Sequence, residues 1–432
     1  MSGARSPEDA PPPAGCRALH AVTGTGVASL LSRRTAVMVF LAFAFAYFFS
    51  ALVRAITATL SPTLTREFAL SAQELGLLAG GYFFGFAATQ LPLGTWLDRY
   101  GPKRVILSFL LVAVVGCVAF ALATSFTALL AARVLCGVGV SACLMAPLTG
   151  YRRWLTPAAQ LRANSWMLMT GSFGMLASTL PVQWLVPVMG WRPLFWGLAL
   201  AVGASMAVIA WQVPRWDAAA SVGSEARAGS YAEVWRHPYF RRMSGIGFFN
   251  YGGMIAMQTL WAGPWMVRVA GYAPLEAAGG LFIINLSMLA TFWSWGMLNP
   301  WLARRGLSTD LLIARGLPLS FVVLATIIIA GPEAGAGAWA LFCMSSTFIA
   351  LAQPAVGMAF PPALAGRALS AYNLVVFAGV FVLQWGIGLL IDGFGALGLS
   401  ELSSFRLAMA VFLACSVMSY GYFILAKDNS RE

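Results

Sequence analysis

Apolar residues along this chain are gathered into twelve long runs separated by short polar segments. The runs lie at roughly 35–60, 74–93, 104–123, 126–150, 164–188, 192–212, 244–267, 275–298, 308–330, 336–360, 367–391 and 402–426. At ~1.5 Å of helical rise per residue, each is long enough to cross the ~30 Å hydrocarbon core of a bilayer. The pattern predicts an all-α membrane protein with twelve transmembrane helices. Pro147, Pro181, Pro264, Pro318 and Pro354 fall inside runs. Packed neighbours tolerate such breaks in membrane helices, and the breaks often sit where helices bend around a cavity. Gly76–Gly80 and Gly81–Gly85 form two GxxxG steps in the second run, a signal of close helix packing.

Two polar segments frame the runs. Residues 1–34 are rich in Pro, Ser and Gly and lack an apolar core before a cleavage site, so they read as a disordered cytoplasmic tail rather than a signal peptide. The segment 213–243 carries Arg215, Asp217, Glu225, Arg227, Glu233, Arg236, Arg241 and Arg242, and it divides the apolar chain into nearly equal halves.

Composition narrows the class. Of 432 residues, 59% are hydrophobic and only 10% charged, with a mean hydropathy of +0.78. A soluble domain carries about 25% charged residues to cover its surface, so a single soluble globular fold is excluded. Disorder is excluded as well, since it requires low hydrophobicity and dense charge.

The net charge of +12 acquires meaning from its placement. Twenty of the 27 Lys and Arg fall in the two tails, the 213–243 segment and the connections that share their side of the membrane. The opposite connections hold Arg66, Arg192 and Arg268, and the remaining four arginines lie within or beside runs. This is the positive-inside pattern, which predicts both termini in the cytoplasm of a bacterial-type inner membrane. The basic balance is a topology signal, not a nucleic-acid footprint.

Enzyme chemistry has no visible carrier. The six cysteines have no paired spacing and mostly fall inside runs, which supports neither a disulfide framework nor a metal site. None of the fifteen acids lies at the middle of a run, and His20 and His237 sit in the tail and the central segment. No cofactor or metal is expected, and proton symport through a buried carboxylate or imidazole has no obvious residue to use.

The two halves repeat. Arg162-Ala163-Asn164-Ser165 opens the fifth run and Arg367-Ala368-Leu369-Ser370 opens the eleventh. Such halves, joined by a long cytoplasmic segment, are the trace of a transporter built from two six-helix bundles. The expected organisation is a tail at 1–34, a first bundle at 35–212, a linker at 213–243, a second bundle at 244–426 and a tail at 427–432. Between runs two and three the sequence reads Gly94-Thr-Trp-Leu-Asp98-Arg99-Tyr-Gly101-Pro-Lys103-Arg104. Two glycines permit a tight reversal, and a lone carboxylate sits among cations. This loop resembles the signature of the major facilitator superfamily, and Arg133-Val-Leu-Cys-Gly137 resembles the family's R-x-x-x-G motif. The resemblance extends over about 35–426. It implies a gating role for Gly94, Asp98, Arg99, Gly101, Arg104, Arg133 and Gly137. The matching loop of the second half, Gly296 through Gly306, has no acid at the aspartate position.

One arginine stands out in the first run. Tyr47, Ser50, Arg54, Thr57 and Ser61 recur at steps of three and four, one polar face on an otherwise apolar helix. A charge at that depth either snorkels to an interface or faces protein and water, and the stripe favours the second. A guanidinium suits a carboxylate or phosphate, whose oxygens match its fork of donors. The stretch Tyr47–Leu64 also resembles the first span of the organophosphate:phosphate antiporter branch, which implies that Arg54 binds the anionic group of a substrate. The same resemblance implies that Trp166 and Thr170 line the site in run five, and it aligns Asn285 with a glutamate in run eight. Those antiporters have a second arginine in run seven, where this chain offers Asn250, Tyr251 and Gln258. A single guanidinium points to a singly charged anion. The expected substrate-binding set is therefore Arg54, Tyr47, Trp166, Thr170, Gln258 and Asn285. The function expected is secondary transport of a small organic anion by alternating access, by a monomer embedded in lipid. The alternative is an exporter of amphipathic or drug-like compounds.

Overall fold

The computed structural model describes residues 30–215 and 230–426. The expectations for residues 1–29, for 216–229 of the linker and for the 427–432 tail fall outside the described residues. The first half comprises α1 (Arg33–Phe68), α2 (Ala72–Ala88), α3 (Gln90–Leu122), α4 (Phe126–Val140), α5 (Ala142–Trp154), α6 (Pro157–Ala177), α7 (Leu180–Met189) and α8 (Trp191–Gln212). The second comprises α9 (Tyr231–Arg236), α10 (Pro238–Ile246), α11 (Gly252–Ala256), α12 (Ala262–Pro264), α13 (Pro274–Arg304), α14 (Thr309–Ala330), α15 (Ala336–Ser346), α16 (Ala352–Met358), α17 (Pro362–Ala396) and α18 (Glu401–Leu425). No strand occurs among the described residues.

Helix starts follow local chemistry. Ser32, Ser71, Ser125, Thr156, Ser308 and Ser400 each cap a helix by accepting a backbone N–H in its first turn, which satisfies donors that have no intrahelical partner. Nine described helices are long and apolar enough to cross a bilayer, and the bent pair α6–α7 makes ten. The pattern predicts twelve, and the two shortfalls have separate causes. α2 is 17 residues long, but the chain stays near helical through Thr89 (φ −92°, ψ −9°) and into the start of α3. The break between the second and third crossings falls instead at Gly101 (φ 76°, ψ 161°). The seventh crossing is divided by wide π-helical turns at Gly247–Tyr251, Met257–Trp261 and Trp265–Val269. Turns of that kind concentrate at functional sites.

Gly101 carries the reversal in the motif loop because its φ lies where side chains are rarely accommodated. Gly94 has no part in that reversal, since it is helical and a Cβ there would meet nothing within 4 Å. Alternating connections place residues near 71, 124, 190, 270, 333 and 398 at one face, called here the far face. Gly101 and the 155, 237, 306 and 360 connections lie at the motif face.

The bend in the fifth crossing, 41° between α6 and α7, occurs at Thr179 (φ −101°, ψ −109°), two residues before Pro181. The Thr59 hydroxyl of α1 donates to the Ser178 carbonyl at 2.8 Å, replacing a helix bond lost at the break. The far-face ends of the two halves are tied alike. Glu67 at the end of α1 pairs with Arg192 at the start of α8 at 2.5 Å. Arg268, at the end of the seventh crossing, pairs with Glu401 at the start of α18 at 2.6 Å. Acid and base exchange places between the halves.

A large apolar core runs through both halves, from Phe43, Tyr82 and Phe120 to Trp261, Val380 and Phe405. A smaller one gathers Phe240, Met243, Ile349 and Tyr372 near the motif face of the second half. The two GxxxG steps serve different contacts. A Cβ on Gly81 or Gly85 would meet Leu130 or Val134 of α4, whereas one on Gly76 or Gly80 would meet Gln384 or Phe381 of α17. One face of α2 thus packs within its own half and the other packs across the seam.

Candidate functional site

The polar stripe of α1 is turned into the protein. Tyr47, Ser50, Thr57 and Ser61 are all buried, and Arg54 is half-buried. The Arg54 guanidinium sits beside the hydroxyls of Tyr47 and Tyr82. Its carbon lies 5.7 Å from the centre of the Phe86 ring, and its Nε is buried with no hydrogen-bond partner. A buried donor without a partner carries a desolvation cost that an incoming acceptor relieves. Tyr251, on a π-helical turn of the second half, faces Tyr47 and Arg54. Phe377 of α17 meets Phe86 at 4.5 Å between ring centroids. The guanidinium therefore stands where the halves meet, in a ring of aromatic side chains.

Two packing devices hold this turn of α1. Gly171 of α6 leaves room for the Tyr47 ring, which a Cβ there would approach to 2.6 Å. From α4, Arg133 donates Nη1 to the Val53 carbonyl at 2.7 Å and Nη2 to the Arg54 carbonyl at 3.0 Å. Its guanidinium carbon lies 4.9 Å from the centre of the Tyr82 ring, a cation–π distance. Arg133 thus grips the backbone of the residue whose side chain faces the seam. Gly137, one turn further along α4, abuts the Tyr82 backbone so closely that a Cβ would collide with its carbonyl.

The other expected site residues are placed differently. Gln258 donates to Asn285 at 3.0 Å, and Asn285 donates to the Leu281 carbonyl at 2.9 Å. Both are buried, and they join the seventh crossing to α13 as an interhelical bond. Trp166 is 57% exposed, and Thr170 is partly exposed with its hydroxyl donated to the Trp166 carbonyl at 2.9 Å; the structure does not bury either against Arg54. Trp261 and Trp265 are fully buried and donate to the Gln384 and Ala334 carbonyls, so they are packing residues. Tyr82 and Phe86 escape the sequence reading, and the one available signal is a tyrosine in the middle of a glycine-rich run.

At the motif face, Asp98, Arg99 and Arg104 are exposed. Lys103 donates to the Val213 carbonyl at 2.7 Å, closing the end of α8. Tyr231 at the start of α9 donates to the Leu91 carbonyl at 3.3 Å, and Arg367 lies 5.7 Å from the centre of its ring. Burial raises the Tyr231 phenol pKa; Arg367 opposes the shift, and Asp98 adds to it. The motif loop, the start of α9 and the start of α17 therefore meet at one place. Among the described residues, no group of three or more His, Cys, Asp or Glu is placed to hold a metal ion.

A family model described as Major Facilitator Superfamily matches residues 43–384. The probable sulfoacetate transporter SauU of Cupriavidus necator is 26% identical over 245 residues, covering 52% of this chain and 56% of that protein. The niacin transporter NiaP of Acinetobacter baylyi is 29% identical over 151 residues, 34% of each chain. These alignments therefore reach about half or less of the length of the curated relatives. Among solved structures, a bacterial homolog to the human lysosomal transporter Spinster, in an inward-facing and occupied conformation, superposes with a TM-score of 0.70. It is 18% identical, with 92% of this chain and 97% of that one covered. That likeness speaks to the fold alone.

Proposed function

The chain belongs to the Major Facilitator Superfamily, and from that membership we propose that it is a secondary transporter moving a small organic anion across a bacterial membrane by alternating access. The observation that carries this reading is Arg54: a half-buried guanidinium at the junction of the halves, with an unpartnered buried Nε and tyrosine hydroxyls beside it. In a low-dielectric seam such a group favours a carboxylate or sulfonate, which accepts bonds from a fork of donors. Relatives named for sulfoacetate and niacin support the same class. Export of amphipathic or drug-like compounds draws no support from these relatives. The likeness to organophosphate antiporters rests on the first crossing and on scattered positions in runs five and eight.

In this reading Tyr47, Tyr82, Phe86 and Tyr251 shape the site around Arg54. Trp166 and Thr170 of α6, which are not packed on Arg54, are left open to meet the substrate itself, and the Gln258–Asn285 bond stiffens the opposing half. Asp98 and its neighbours act as the gate at the motif face, which the charge map assigns to the cytoplasm. Counterflow in proteoliposomes, with a panel of aliphatic and aromatic carboxylates, sulfonates, phosphate esters and lipophilic cations, tests the proposal. The expected result is exchange of carboxylates or sulfonates, abolished by Arg54→Ala and partly retained by Arg54→Lys. Anion counterflow that survives Arg54→Ala unchanged refutes it.

A further inference from the structure

A carboxylate joins the halves at the far face, away from the Arg54 site. Asp392 lies near the end of α17 and is half-buried. Its Oδ1 accepts from the Ala72 N–H at 3.1 Å and its Oδ2 from the Gln73 N–H at 2.7 Å. These are the first two residues of α2. A helix start leaves its early N–H groups without intrahelical partners and carries partial positive charge. The local capping box serves other donors: the Ser71 hydroxyl accepts from the Glu74 N–H, and the Glu74 carboxylate accepts from the Ser71 N–H. The Ala72 and Gln73 donors fall outside that box and find their partner in the opposite half. The cap of α2 is completed only when the halves are together at this face.

The seam beneath the contact has no slack. A Cβ on Gly388 would strike the Ala72 carbonyl, and one on Gly76 would strike the Gln384 carbonyl. At Gly80 a Cβ would come within 3.0 Å of the Phe381 ring. Backbones of α2 and α17 are therefore in direct contact over the far-face part of the seam. Opening this face separates them and returns two charge-assisted hydrogen bonds to water.

We propose that Asp392 is a far-face clasp, a conformational latch that stabilises the state closed on that side and releases when that side opens. Its place in a transport cycle rests on the alternating-access reading above, but the latch itself is a property of the two halves. It lies outside the motif loop and acts directly on a helix start.

The test uses the full chain in liposomes without substrate. Spin labels at Thr124→Cys and Leu397→Cys, exposed positions on the far-face ends of the two halves, report the distance between them by pulsed paramagnetic resonance. Cys16 and Cys415 are replaced by serine in this background. Asp392→Asn, similar in size but uncharged, is expected to raise the ratio of the long-distance to the short-distance population roughly tenfold. Asp392→Glu keeps the carboxylate and shifts the ratio less. Gly76→Ala, acting from the other helix, shifts it in the same direction as Asp392→Asn. A distance distribution unchanged by Asp392→Asn overturns the proposal. If that variant does not fold, an unchanged distribution in Asp392→Ser overturns it instead. Because no substrate is present, the distances stand or fall separately from the anion reading, which counterflow by the parent protein decides.

Discussion

Replacing Arg133 with leucine removes two hydrogen bonds and a cation–π contact from the turn that carries Arg54. The Val53 and Arg54 carbonyls lie in the middle of α1, so both keep their helical N–H partners and neither is orphaned. Two bonds from a charged donor at about 1.5 kcal/mol each, with about 1 kcal/mol for the ring contact, sum to roughly 4 kcal/mol gross. Arg133 is 1% exposed, and keeping a charge out of water costs several kcal/mol, which offsets part of that sum. The net loss of stability is therefore expected at roughly 1–2 kcal/mol, seen as a modest fall in thermal unfolding temperature in detergent. The functional effect is expected to be sharper, because these bonds fix the backbone beneath the anion-binding side chain. If about 1.4 kcal/mol of the positioning is lost, anion affinity falls about tenfold in a counterflow titration. Arg133→Lys, which reaches one carbonyl with one ammonium, is expected between the parent and leucine variants. An Arg133→Leu protein with the parent's affinity refutes the positioning argument, whatever its stability.

Gly101→Ala forces a side chain into a positive-φ turn and is expected to lose roughly 1–2 kcal/mol, whereas Gly94→Ala, with open space around it, is expected within about 0.5 kcal/mol of the parent. Equal losses at the two positions in chemical unfolding would contradict the assignment of the reversal to Gly101. Thr59→Val removes the bond to the Ser178 carbonyl at the bend between α6 and α7 and is expected to cost about 1 kcal/mol. Unchanged stability would mean that the bend is held by Pro181 and packing alone. A double-mutant cycle of Gln258→Leu and Asn285→Leu is expected to give a coupling near 0.6 kcal/mol, typical of interhelical bonds in membranes. Loss of anion affinity in both single variants without such coupling would show that the pair serves substrate rather than structure.

Several features were legible from residue order because they depend on local rules. Length and apolarity mark a membrane crossing whatever its neighbours. The stripe from Tyr47 to Ser61 points inward because a helix places those positions on one face. Gln258, Asn285, Trp166 and Thr170 were harder. A polar group in a membrane helix needs a partner, and the chain order does not say whether that partner is another side chain or a substrate. Gln258 and Asn285 have each other, and the Thr170 hydroxyl has the carbonyl one turn back. Tyr82 and Phe86 were invisible because any aromatic residue in an apolar run satisfies the same pattern.

By itself the sequence determined the class of protein, the approximate place of most crossings and the arginine on a polar stripe, since hydropathy and helical periodicity act over a few residues. Only the tertiary structure decided that Arg133 grips the turn bearing Arg54, that α2 turns one glycine face to α4 and the other to α17, and that Asp392 completes the cap of α2. Those contacts join residues 49 to 320 positions apart. Their geometry depends on how close two backbones come, a quantity that no local pattern of hydrophobic and polar residues encodes.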